Sequence, residues 1–111
     1  MGTAINKTWY PSYPIKKGTD WGGSTGHKLT FSSDISSVVF TLEIKNRKGT
    51  ELLLTLTESS GITHSGTYDI YIAIGNITTA ALPSGGVKCE LYGTSGGVVT
   101  HWMNIETEVT E

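Results

Sequence analysis

The chain has 111 residues, a formal net charge of −2 and only 16% charged residues, with abundant Gly, Ser and Thr. That length suits one domain with one core. The composition favours short strands joined by tight turns over a helical bundle or a disordered chain, whose charged fractions are higher. No basic cluster large enough to displace the counterions of a nucleic acid is present, Lys45, Arg47 and Lys48 being the densest group.

The first stretch differs from the rest. Trp9, Tyr10, Tyr13 and Trp21 lie among Pro11 and Pro14, which disfavour helix and keep the backbone extended. It closes on Gly22-Gly23-Ser24-Thr25-Gly26, a turn-former. Residues 1–14 read as an extended aromatic N-terminal arm, and 15–111 as the domain proper. The four aromatics are candidate partner-binding residues, because aromatic rings bury much area at little entropic cost. The alternative use is to cap the domain's own core.

Beyond the arm the alternation has a period of two. His27–Phe31 is a weak strand candidate. In 38–45, Val38, Phe40, Leu42 and Ile44 share one face, and Val39, Thr41, Glu43 and Lys45 the other. Asn46–Gly49 reads as a hairpin turn, after which Leu52, Leu54 and Leu56 repeat the pattern. Tyr68, Ile70, Ile72 and Ile74 form another apolar face opposite Asp69, Tyr71 and Ala73.

The next stretch, Ile77 to Tyr92, turns briefly helix-friendly. Thr78 or Thr79 is placed to cap a single helical turn near 78–82, Leu82 to plug the core, and Pro83 to stop the turn. Gly85 and Gly86 then reverse the chain. Val87, Cys89 and Leu91 point inward, Lys88 and Glu90 outward. After the turn at 94–97, Val99, His101, Met103 and Ile105 are expected inward, with Trp102 and Asn104 outward. About seven one-faced strands with a helical crossover predict an all-β, immunoglobulin-like antiparallel β-sandwich, one packed sheet burying the other's apolar face.

Catalytic and metal motifs are weak. His27, His64 and His101 are equally spaced, but none has a His or Cys neighbour at zinc-ligand spacing. Cys89, the single cysteine, falls on an apolar face, where a thiol behaves as a small hydrophobe, and it has no partner for an internal disulfide. Glu43, Glu51, Asp69 and Glu90 lie on outward faces or at a turn, as solubility alone requires, and Glu106, Glu108 and Glu111 read as a solvated strand end. The Gly pairs lack the Lys-Ser/Thr of a phosphate loop. The reading is therefore non-enzymatic, with no cofactor and no metal. No apolar run approaches a membrane span, and none opens the chain as a signal peptide would. On the outward faces Tyr71 and Trp102 are the candidate ligand-binding aromatics, with Trp21 as a third, since exposed rings stack on sugars.

From about Ile15 onward the layout resembles a recurrent virion domain of tailed phages and prophages, one member being the N-terminal domain of baseplate upper proteins. The matching features are Ile15-Lys16-Lys17-Gly18-Thr19, the hairpin 40–53, and above all 72–91. There Thr79, Ala80, Ala81, Leu82, Pro83, Ser84, Gly85, Glu90 and Leu91 follow the family pattern of strand, small residues, Leu-Pro, Gly and returning strand. Val87 and Cys89 stand where the family carries aromatics, and His101 where it often carries Gly. The resemblance implies a phage structural protein of tail, baseplate or neck, made in the bacterial cytoplasm without a signal peptide and placed in the virion. Its partners would be other virion proteins and copies of itself in a homo-oligomer, not nucleic acid or membrane. Capsid decoration (a head-fibre role) and a carbohydrate- or receptor-binding module are the alternative readings.

Overall fold

The computed structural model describes the backbone of residues 7–9 and the whole of 14–111. Nine strands and one helix follow in the order β1 (Lys7–Trp9), β2 (Ile15–Lys16), β3 (His27–Thr30), β4 (Val39–Asn46), β5 (Leu52–Glu58), β6 (Gly61–Ser65), β7 (Asp69–Ile72), α1 (Asn76–Ala81), β8 (Gly85–Ser95) and β9 (Val98–Thr110). Their lateral order is β1-β9-β8-β4-β5-β6-β7-β3. β2 lies beside β9 as well, further along the edge that β1 occupies: β1 pairs in parallel with Met103–Ile105, β2 with Val109–Thr110. The fold is thus mainly β with one short helix, as the alternation predicts.

The strands form one mixed, strongly curled half-barrel and are not clearly divided into the two sheets expected of an antiparallel sandwich. The reason is local to the corner between β5 and β6. At Ser59 (φ 66°) and Gly61 (φ 105°) the chain turns and then continues in the direction of β5. Parallel pairing of Thr57 with Gly61 and Glu58 with Ile62 keeps the two segments joined, while the chain exchanges β4 for β7 as its neighbour. A Cβ at Gly61 would stand 2.7 Å from Leu56 Cδ2 and 3.1 Å from the Ala73 carbonyl, so the corner needs glycine for space as well as for φ. Glu58 fastens it: its carboxylate accepts the Phe40 amide at 2.8 Å, and His64 Nε2 lies 3.1 Å from the same oxygen.

Curling brings the two ends of the strand order together. Phe31, just after β3, packs against Trp102 of β9 with ring centroids 5.2 Å apart, and Phe40 of β4 lies 5.5 and 5.4 Å from those two rings. Around this trio sit Val38, Leu42, Ile44, Ile62, Ile70, Ile72, Leu91 and Ile105, all buried. The inward faces of β4, β7 and β8 match the alternation. β5 departs from it, because Leu54 pairs with Ile44 but Leu52 with Lys45; the extra residue, Leu53, leaves Leu52 54% exposed.

α1 begins earlier than expected and carries the chain from β7 to β8, past the intervening places of β6, β5 and β4 in the strand order. Its N-cap is Gly75, not Thr78 or Thr79; a distant residue serves it, the Asp20 carboxylate accepting the Asn76 amide at 2.8 Å. Thr79 is instead fully buried and acts as a clamp. Its hydroxyl accepts the Gly18 amide at 3.1 Å and donates to the Thr19 carbonyl at 2.8 Å, tying α1 to the loop after β2. Leu82 is buried as expected. Thr79→Val keeps the shape but strands both loop groups, so unfolding in urea should show a loss of about 1–3 kcal/mol. Thr79→Ser should retain most of the stability. Equal stability of the Val variant and the parent would remove the clamp from the account.

Candidate functional site

The residues singled out from the sequence do not converge. The backbone of Trp9 lies in β1, on the protein's own β9. Tyr10 and Tyr13 lie outside the described residues. Trp21 is only 4% exposed; its backbone bridges Ile74 and its ring centroid lies 4.4 Å from that of His27. Tyr71 is half-buried on β7, between Lys28 of β3 and Thr63 of β6.

Trp102 is the clearest correction. It was expected on the outer face and is 2% exposed. In the β8–β9 ladder Met103 pairs with Leu91 and His101 with Tyr92, so Trp102 is an extra residue in a β-bulge. A bulge resets the alternation: Val99 and His101 move outward while Trp102 joins Met103 and Ile105 inside. Val99, expected inward, is 65% exposed. With Trp21 and Trp102 in the core, Tyr71 is the remaining candidate stacking ring of the original three.

What the outer face does assemble is a polar group spanning β4, β8 and β9. The register lays out three rows: Thr41, Tyr92 and His101; Glu43, Glu90 and Asn104; Lys45, Lys88 and Glu106. Lys45 Nζ lies 2.7 Å from Glu90 Oε1 and 3.5 Å from Glu43 Oε1. The hydrogen bond from Lys45 holds the Glu90 carboxyl below its ordinary range, and the same bond raises the Lys45 ammonium. The Tyr92 phenol is raised first by burial and then by the Glu90 charge beside it. His101 Nε2 lies 3.0 Å from Asn104 Oδ1, and its ring stands edge-on to Tyr92 with centroids 5.4 Å apart.

Above these rows a depression of about 330 Å³ is lined by Thr41, Glu43, Tyr92 and Val99. Its Glu90 neighbour is kept charged and acts as an acceptor, not as a proton donor at neutral pH. The arrangement is suited to binding by hydrogen bonds and ring contact. Alternation places Glu43, Lys45, Lys88 and Glu90 outward, and Tyr92 shares their phase, but joining them in one site requires the β4–β8 register. That register is a long-range property.

Beneath this face Cys89 is buried, and burial pushes its thiol up to about 12, so it is a thiol and not a thiolate nucleophile at neutral pH. The three histidines sit on β3, β6 and β9, and no cluster of three metal-ligating side chains occurs among the described residues. No protein-family model matches this chain, and no curated protein matches it.

Proposed function

We propose that the chain is a non-enzymatic structural component of a tailed-phage particle, docking onto copies of itself and onto neighbouring virion proteins at a tail, baseplate or neck. The observation that carries this reading is the folding of 72–91. The segment on which the resemblance rests forms strand, short helix and returning strand, and its Thr79 and Leu82 are the residues that seat the helix. In the same reading the curled sheet is a variant of the immunoglobulin-like sandwich, with the Ser59–Gly61 corner as the place where one strand passes between sheets.

The docking element is the arm. Lys7–Trp9 is a three-residue parallel edge strand on β9, joined to β2 through a connector containing Pro11 and Pro14. So short an edge strand can exchange its own β9 for that of a neighbouring copy at low cost. Native mass measurement and negative-stain imaging should show closed oligomers of the intact chain, and removal of residues 1–14 should reduce them to monomers. Oligomers that survive the deletion would end the role of the arm. A parent chain that stays monomeric at all concentrations would end self-assembly.

A further inference from the structure

We propose that the outer face of β4, β8 and β9 binds a neutral saccharide in the depression formed by Thr41, Glu43, Tyr92 and Val99. This inference is independent of the docking reading, since the arm pairs along the edge of β9 and the depression opens on the face.

The chemistry of the lining selects the ligand class. A sugar presents C–H groups on one side and a ring of hydroxyls around its rim. An aromatic ring beside an aliphatic side chain meets the first, and carboxylate and hydroxyl oxygens meet the second. Tyr92 and Val99 supply the apolar floor, Glu43 and Thr41 the polar rim. The Tyr92 ring is already packed edge-on against His101, so little freedom is lost on stacking.

The two carboxylates have different tasks. Glu90 is engaged by Lys45 at 2.7 Å, whereas Lys45 reaches Glu43 at the longer distance of 3.5 Å. Glu43 therefore keeps oxygens available for a pair of adjacent hydroxyls, the bidentate geometry in which a carboxylate accepts best. Glu43, Glu90 and Glu106 against Lys45 and Lys88 leave the face net negative, which disfavours uronic and sialic acids. A volume of about 330 Å³ lies at the small end of ligand sites and matches one or two sugar rings, not a long chain.

The test is a glycan array containing neutral and acidic sugars, followed by titration calorimetry with any neutral sugar that binds. Tyr92→Ala and Glu43→Gln should each weaken binding by about tenfold or more, the cost of a lost ring contact or a lost hydrogen bond to a charged group. Glu43→Gln is near-isosteric at a half-buried position, so it reports on the site even where Tyr92→Ala disturbs the fold. Tyr71→Ala and removal of residues 1–14 should leave affinity unchanged. An array without neutral binders overturns the proposal. So does affinity that survives Glu43→Gln and any folded Tyr92→Ala, or affinity lost with Tyr71→Ala.

Discussion

Trp102→Ala is expected to cost about 3–5 kcal/mol in urea unfolding, in the upper range for loss of a large buried side chain. Trp102 stands where the two ends of the curled strand order meet, edge-on to both Phe31 and Phe40 at interplanar angles of 79° and 71°. Truncation removes the indole from both phenyl rings at once, and β9 cannot move in to fill the space, because β8 holds it from Val98 to Val109. Trp102→Phe should cost less, since a smaller ring keeps part of the contact. A loss below about 1 kcal/mol for the alanine variant would be incompatible with a buried indole.

Gly93→Ala is the second large effect, and it acts on the same place from the opposite side. A Cβ at Gly93 would fall 2.7 Å from Val38 Cγ1 and nearer still to the Trp102 indole Nε1. Gly93 is not among the residues with positive φ, so the penalty is one of space and not of backbone conformation. Overpacking of this kind costs about 1–3 kcal/mol. Because the clash is with Trp102 itself, Gly93→Ala and Trp102→Phe should not be additive: the smaller ring makes room for the methyl. A double-mutant cycle in urea tests this. Simple additivity would mean that the two residues do not share the space.

Much of the fold was legible locally. The faces of β4, β7 and β8 follow a period of two, which the pleat imposes on any half-buried strand. Leu82, Val87, Cys89 and Leu91 lie inside as their phase requires. The short helix was recognisable from its small residues and the following proline, although it starts at Asn76 and takes its N-terminal partner from Asp20. No local pattern announces a side chain arriving from more than fifty positions away.

Three of the errors share one cause. Each lies at a bulge or a corner: Leu53 in β5, Trp102 in β9, and Ser59–Gly61 between β5 and β6. One inserted residue puts the inward and outward assignments on its two sides out of phase, and nothing in a run such as Val-Val-Thr-His-Trp-Met marks which residue is the insertion. The Trp102 and Val99 assignments were therefore reversed together. The candidate saccharide site escaped notice for a related reason, since Tyr92 is remote from Thr41 and Glu43 in the chain and adjacent only in register.

The sequence by itself determined a β-rich domain, the inward faces of its regular strands and the brief helix before Pro83, because these follow from side-chain period and backbone restriction over a few residues. Only the tertiary structure decided that the strands curl into one mixed sheet, that Trp102 closes the core, and that Glu43, Lys45, Glu90 and Tyr92 meet on one face. Those outcomes depend on which strands pair and in what register, and pairing is set by the total burial of the assembled core, a quantity that no short segment carries.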